Sequence, residues 1–135
     1  LVSHALTNVA GSSGYVRGGV VAYANEVKRD VVGVPEELLV AHGAVSEAVA
    51  LALARGVRSL LGTEVGASAT GIAGPTGGTP DKPVGTVYIA ASTPLGDRAE
   101  LHVWNADRVT NKKLSARALL ELLIALLRGD GEELG

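Results

Sequence analysis

The stretch "TGIAGPTGGTPDKPVGTVYIA", residues 70–90, joins two apolar segments through a glycine-rich loop and decides how the chain is interpreted. A phosphate-binding P-loop needs a Lys-Ser or Lys-Thr pair that leads into a helix, and a dinucleotide fingerprint also opens a helix. A strand with Val87, Tyr88 and Ile89 follows here instead, so neither motif is present. The loop still has glycines whose backbone N–H groups can face an anion: Gly71, Gly74, Gly77 and Gly78. Its composition leaves open whether it binds a ligand, shapes a pocket or only turns the chain.

The segments around this loop predict a layered α/β protein. "VGASAT", residues 65–70, is typical of a small-residue strand that is central and covered on both faces. "VGTVYIAAS" and "AELHVW" are joined by the short turn "TPLGD", which predicts antiparallel neighbours. "VVAYA", Val20–Ala24, predicts a further buried strand.

Apolar residues at helical spacing predict helices before and after these strands. They are an opening helix across Val2–Val9, a short helix capped by Asn25, one that begins near Pro35 and ends at Gly43, one capped by Ser46, and one across Lys113–Arg128 that Gly129 stops. We therefore expect an α/β fold, a three-layer α/β/α sandwich with a mixed sheet. Residues 129–135 are expected to form a frayed tail.

Composition limits the possible functions of this one domain, which spans 135 residues. The absence of cysteine excludes disulfides, thiolate metal sites and a cysteine nucleophile. A net charge of −2 with interspersed charges argues against nucleic-acid binding, and no apolar run is long enough for a membrane span. The histidines are isolated, so we expect no metal and no cofactor. We predict a cytoplasmic protein.

Two segments carry residues suited to chemistry. In "YANEVK" a lysine follows a tyrosine closely, and a Lys28 shielded from water is a general base that the Tyr23 hydroxyl can assist. The alternative is a surface lysine after a core tyrosine. Ser13 in "GSS" is either a pocket hydroxyl or a turn residue. Arg108 either clamps a phosphate or carboxylate or forms an ion pair at a helix start.

Three signatures in this order and spacing resemble the C-terminal domain of the CinA family, the competence/damage-inducible proteins. They are "GSSGYVRGGVVAYANEVK", "GVPEELLVAHGAVSEAVA" and "TGIAGPTGGTPDKPVGTVYIA". The resemblance runs from residue 1 to about residue 128. It implies an α/β/α fold and nicotinamide-nucleotide amidohydrolase activity, which converts nicotinamide mononucleotide and water to nicotinic acid mononucleotide and ammonia in pyridine-nucleotide salvage.

The resemblance also implies site residues for a serine-based, metal-free hydrolysis. The catalytic positions fall on Lys28, Tyr23 and Ser13. The substrate-binding positions fall on Thr70, Gly71, Gly74 and Arg108, with backbone N–H groups of a glycine loop as the oxyanion donors. Two residues depart from the family pattern: Ala106 replaces the glycine of a "GDR" motif, and Lys112 stands where many members have arginine.

The family's "AESCTGG"-like segment, which carries the expected nucleophilic serine, normally precedes the text "LVSHALT" that opens this sequence. We therefore expect that segment before Leu1, and we expect the present chain alone to be inactive and its domain to lack its first helix and strand. The alternatives are a catalytically inactive nucleotide-binding or regulatory module, or a structural appendage, either one fused to a larger N-terminal domain. The family resemblance also implies a homo-oligomer, for which "AELHVW" or the leucine-rich last helix is a candidate interface.

Overall fold

The structure, a computed structural model, describes residues 1–129. Its helices and strands follow the predicted order except at one segment. They are α1 (Val2–Thr7), a 3-10 turn (Ser12–Gly14), α2 (Asn25–Asp30), α3 (Glu36–His42), α4 (Glu47–Leu61), β1 (Gly66–Gly71), β2 (Thr86–Thr93), β3 (Gly96–Val103) and α5 (Arg108–Arg128).

The three strands form one antiparallel sheet in the order β1-β2-β3. Tyr88 in the central strand pairs with Thr70 of β1 on one side and with Leu101 of β3 on the other. The predicted β2–β3 hairpin is confirmed. The expected mixed sheet is wrong for residues 1–129, where every strand pair is antiparallel, and β1 is an edge strand there rather than a central one.

The segment Val20–Ala24 is not a strand, contrary to the prediction. Its side chains alternate, because Val20 and Ala22 pack against the apolar cluster beneath α4 while Val21 and Tyr23 are 89% and 86% exposed. One face is therefore covered, as in a strand. The segment has no partner strand within residues 1–129, however, and its apolar residues alone do not specify one.

Helices cover both faces of the sheet. Odd-numbered residues of β2, such as Ile89, face α5 and pack against its buried leucines, Leu119, Leu122 and Leu123. The even-numbered Ala90 faces α4 and packs against Ala50 and Ala54. This alternation follows from the two-residue period of a strand, and the α/β fold with helices on both faces is as predicted.

Helix ends are set mostly by the capping residues that the sequence indicates. The Ser46 hydroxyl accepts a hydrogen bond from the Val49 N–H at 3.3 Å, and Gly129 ends α5 in the left-handed conformation. The last helix begins earlier than the predicted Lys113, because Asp107 caps it by accepting from the Thr110 N–H at 2.7 Å. Asn25 lies inside α2 and does not cap it. Apart from Gly129, the predicted tail lies outside the described residues.

The contact between α4 and β1 depends on small residues. Gly66 lies directly under α4, where an added Cβ would overlap the Ala54 carbonyl oxygen and crowd Arg58. The neighbouring Ala50 and Ala54 are fully buried. The helix backbone therefore sits unusually close to the sheet, and the Ser68 hydroxyl bonds directly to the Ala50 carbonyl at 2.6 Å.

Replacing Gly66 with alanine should lower the free energy of unfolding by about 2–3 kcal/mol, the usual effect of overpacking a buried contact. Gly14→Ala is the matched control, because no atom lies within 4 Å of an added Cβ there. Denaturant unfolding of both variants measures the difference. An equal effect of the two substitutions would show that α4 moves away from the sheet without cost.

Candidate active site

Lys28 is buried although it is charged in its ordinary state. Only 7% of it is exposed, and its Nζ donates to the carbonyl oxygens of Ala22 at 2.8 Å and Tyr23 at 3.3 Å. Burial lowers its pKa from the ordinary value of 10.5 because removal from water disfavours the ammonium form. A neutral amine has two N–H bonds, enough for both carbonyls, and one lone pair left to take a proton. The arrangement therefore suits a general base.

Tyr23 and Ser13 are both accessible. The Tyr23 backbone carbonyl holds Lys28, while its side chain projects into solvent at 86% exposure, so the alternative of a surface lysine after a core tyrosine is wrong. Ser13 is exposed in the 3-10 turn, and within residues 1–129 no hydrogen bond joins it to Lys28. The carbonyls of Ala22 and Tyr23 hold the amine in this arrangement. Catalytic roles for both hydroxyls stay predictions.

Thr70 and Gly71 end β1 where the glycine loop, residues 72–85, begins. Thr70 is 7% exposed and its hydroxyl donates to the Ala44 carbonyl at 2.7 Å, which joins β1 to the α3–α4 connection. The oxygen keeps its lone pairs for another donor. Gly71 is exposed, yet an added Cβ would press on Thr86 and Val87. Thr70 thus has a structural role that the sequence does not indicate.

The glycine loop is fastened to the first turn of α5. Arg108 donates through one terminal nitrogen to the Gly74 carbonyl at 2.9 Å, so the structure brings together two of the predicted substrate-binding residues. Arg108 is otherwise exposed, and its remaining N–H groups are oriented by this contact. Gly74 itself is buried and has a φ of 89°, a conformation that favours glycine.

Sequence reasoning missed Asn111, which is 2% exposed. Its side-chain amide donates at 3.0 Å to the carbonyls of Ala73 and Ala106, and its Oδ1 accepts from the Ala106 N–H at 3.2 Å. This one side chain therefore connects the glycine loop, the turn before α5 and α5 itself. The turn uses only backbone groups of Ala106, whose φ is not positive, so alanine in place of the family's glycine fits there.

Lys82 fastens the opposite side of the loop. Its Nζ donates to the His42 carbonyl at the end of α3 at 2.8 Å. Together with Arg108 it places positive charge at both sides of the glycine loop, which favours an anionic group such as a phosphate nearby. Within residues 1–129 no hydrogen bond joins this loop to the Lys28 group.

The surface of the described residues also has two open grooves. One, with a volume of about 500 Å³, runs between α4 and the glycine loop and includes Glu47, Lys82 and Tyr88 in its lining. The other lies between the α2–α3 connection and α4, beside Gly33. Neither is lined by a predicted site residue, so hydrogen bonding and burial rather than cavity shape locate the candidate site.

The described residues contain neither a cluster suited to a metal ion nor a helix suited to a membrane span. No group of three or more His, Asp or Glu side chains in residues 1–129 is arranged to hold a metal ion. Within the same span no helix is both long and apolar enough to cross a membrane.

Comparison with known proteins gives a consistent result. The family described as "CinA C-terminal domain" matches residues 1–127. A CinA-like protein of Salinibacter ruber is 57% identical over 121 residues, which cover 90% of this chain and 29% of that protein. One from Anaeromyxobacter dehalogenans is 51% identical over 128 residues, which cover 95% of this chain and 31% of that protein. The chain thus spans about a third of the length of these relatives.

Solved structures agree with the sequence comparison. The competence/damage inducible protein CihA from Agrobacterium tumefaciens has a TM-score of 0.86 and 40% identity, with 93% of this chain and 77% of that one covered. A CinA superfamily protein from Escherichia coli has a TM-score of 0.88 and 27% identity, with 93% and 73% covered. The three signatures, the sheet flanked by helices and these matches lead to one conclusion: the chain belongs to the CinA C-terminal domain family.

Proposed function

We propose that the protein containing this chain is an amidase that hydrolyses nicotinamide mononucleotide to nicotinic acid mononucleotide and ammonia, in pyridine-nucleotide salvage. The observation that carries the proposal is Lys28, a buried amine with a lowered pKa held by two backbone carbonyls. Such an amine is the base that Ser–Lys amidases use in place of histidine. The family membership supplies the substrate class.

In the proposed reaction a serine hydroxyl attacks the carboxamide carbon while its proton passes to the lone pair of Lys28 Nζ. The nucleophile belongs to the "AESCTGG"-like segment that the family resemblance implies before Leu1. The carbon–nitrogen bond then breaks, and Lys28 returns the proton to the leaving amide nitrogen, which departs as ammonia. Water attacks the resulting acyl ester by the same route and releases the acid. The Tyr23 hydroxyl relays the proton, and Ser13 aligns the base.

The glycine loop has two roles in this proposal. Backbone N–H groups stabilise the oxyanion, either that of Gly71, which ends β1 beside the loop, or those of the double glycine in the segment expected before Leu1. Thr70 and Arg108 position the nucleotide, with the exposed N–H groups of Arg108 directed at the phosphate. The contact of Arg108 with the Gly74 carbonyl supports this role, because it couples the phosphate-binding side chain to the loop.

Full-length protein incubated with nicotinamide mononucleotide should release ammonia and nicotinic acid mononucleotide in equal amounts. Free nicotinamide should react at least about 100-fold more slowly, because it lacks the phosphate that positions the amide. Coupled ammonia assay and chromatography of the products measure both. Equal rates on the two amides would contradict the roles of Thr70 and Arg108.

The second candidate is a catalytically inactive nucleotide-binding or regulatory module. It is favoured by the same loop contacts, since Arg108 and Lys82 serve binding without chemistry. Calorimetric binding of the mononucleotide without ammonia release would support it against the amidase. Absence of both binding and release would contradict both candidates.

A further inference from the structure

Two side chains of α5 hold consecutive carbonyl groups of the glycine loop. Arg108 donates to the Gly74 carbonyl at 2.9 Å, and Asn111 donates to the Ala73 carbonyl at 3.0 Å. The two donors lie three positions apart, so they project from the same face of the helix. Asn111 is 2% exposed, whereas Arg108 is exposed. The buried amide therefore fixes the loop directly beside the acceptor that the exposed guanidinium uses.

The end of the glycine loop reaches the same part of the chain through Trp104. The Gly85 carbonyl accepts from the Trp104 N–H at 2.9 Å, and an added Cβ at position 85 would overlap the Trp104 carbonyl oxygen. The Trp104 indole N–H donates to the Ser115 hydroxyl at 3.0 Å, and that hydroxyl donates to the Asn111 carbonyl at 2.8 Å. Both ends of the loop are therefore connected to the turn of α5 that contains Asn111.

The conformation of Arg108 depends on this attachment. An exposed arginine has many side-chain conformations, and binding a phosphate restricts them at a cost in entropy. The bond to the Gly74 carbonyl uses one terminal nitrogen and restricts the side chain before a ligand arrives. Asn111 holds Ala73, the neighbour of that acceptor, and also both backbone groups of Ala106, two residues before the arginine. The acceptor and the donor are thereby fixed relative to each other.

We propose that Asn111 is a positioning residue for phosphate recognition, which holds Arg108 in the conformation that receives the phosphate of the nucleotide. Asn111 does not contact the ligand, because it is buried and both hydrogens of its amide are donated to the carbonyls of Ala73 and Ala106. This role rests on the phosphate contact proposed for Arg108, but it does not depend on hydrolysis.

Binding of nicotinamide mononucleotide and of nicotinamide riboside, which lacks the phosphate, tests this role in the full-length protein. Lys28→Met is the background, because it is expected to bind without turnover, and calorimetry measures both dissociation constants. Asn111→Ala in this background should weaken mononucleotide binding about 5–10-fold, the usual effect of releasing one immobilised side chain, and riboside binding less than about twofold. A residue with only a structural role would weaken both alike.

Gly66→Ala is the matched control for lost stability. It is expected to destabilise the fold from the start of β1, while the glycine loop follows the last residue of that strand. It should leave the ratio of the two dissociation constants unchanged. Asn111→Ser is the second variant should Asn111→Ala not fold, since serine leaves room for a water molecule that its hydroxyl and the freed carbonyls can bind. It should show the same selective loss for the mononucleotide.

A double-mutant cycle shows whether Asn111 acts through Arg108. Arg108→Ala should reduce the preference for the mononucleotide over the riboside. Adding Asn111→Ala to that protein should then have no further effect on the ratio of the two dissociation constants, because residues that act through one contact are not additive. A further loss of preference in the double variant would overturn the proposal.

The same measurements separate this proposal from the proposed function. A ratio that Asn111→Ala leaves at its background value would overturn the positioning role while the phosphate contact of Arg108 stands. A background protein that binds the mononucleotide no better than the riboside would contradict the phosphate contact itself, and the positioning role would fall with it.

Discussion

Lys28→Met in the full-length protein should lower kcat for ammonia release by about 10²–10⁴-fold, the usual contribution of a general base. KM should change little, since the amine is proposed to act on the proton of the nucleophile rather than to hold the nucleotide. Methionine matches the length of the lysine and has no amine. Steady-state kinetics with nicotinamide mononucleotide measure the two constants separately.

The fold should survive this substitution. An apolar side chain removes the cost of burying an amine, and the exposed Tyr23 segment leaves water to meet the two freed carbonyls. The unfolding free energy should stay within about 1 kcal/mol of the wild-type value. Lys113→Met, at an exposed position of α5, is the control and should keep its activity. Undiminished turnover of Lys28→Met would exclude this residue as the base.

The lowered pKa of Lys28 determines the direction in which stability and activity change with pH. The pKa of Lys28 is lower in the folded chain than the ordinary 10.5, so between the two values the unfolded chain binds more protons. Wild-type stability gains from this group as pH rises through that window, and Lys28→Met should lack the gain. Activity should rise as the pH rises through the folded-state pKa of Lys28, the lower end of this window, because only the neutral amine accepts a proton. A pH–rate profile and denaturant unfolding at several pH values measure both.

Asn111→Asp should lower the free energy of unfolding by about 3–5 kcal/mol at neutral pH, as expected for an uncompensated buried charge. Asn111 is 2% exposed, and its amide nitrogen faces two carbonyl oxygens. A carboxylate oxygen in its place has no hydrogen to donate and repels both. Thermal or denaturant unfolding measures the loss, with Asn105→Asp, at an exposed position, as the control.

The deficit of Asn111→Asp should shrink as pH falls. Burial beside carbonyls raises the pKa of an introduced carboxyl above its unfolded value, so the folded protein binds more protons between the two. The protonated acid can donate one hydrogen bond again. Unfolding at pH 5 and pH 8 therefore separates this effect from a simple packing change. A deficit equal to that of Asn105→Asp would show that the glycine loop does not depend on this amide.

The sequence predicted the features that local patterns encode. Ser46 and Gly129 mark helix ends because a cap needs only neighbouring backbone groups, and the "TPLGD" turn specifies a hairpin for the same reason. Val20–Ala24 shows the limit: its apolar run predicts a buried strand, and the structure covers only one face of it. A strand also needs a partner, which the residues of the segment do not specify.

The candidate site likewise contains one residue that the local sequence indicated and one that it did not. The motif around Lys28 left open a shielded or a surface lysine, and the structure shows that it is buried, while its role as a base stays a prediction. Asn111 was missed because its role depends on the Ala73 carbonyl, 38 positions away in the chain. An asparagine in the first turn of a helix has no local signature of such a contact. The approach of the glycine loop to α5 is a tertiary arrangement, and only the structure supplies it.

The hydrogen bonds that hold the glycine loop and the strand before it share one property, which determines which positions can change among related domains. Lys82, Thr70 and Arg108 all bind main-chain oxygens, those of His42, Ala44 and Gly74. A main-chain oxygen is present whatever side chain occupies the position. His42 and Ala44 are therefore replaceable by other residues without loss of an anchor, whereas the donors are not. Related domains can exchange the residues at positions 42 and 44 and still hold the loop in the same place, whereas the left-handed φ of 89° at position 74 favours glycine.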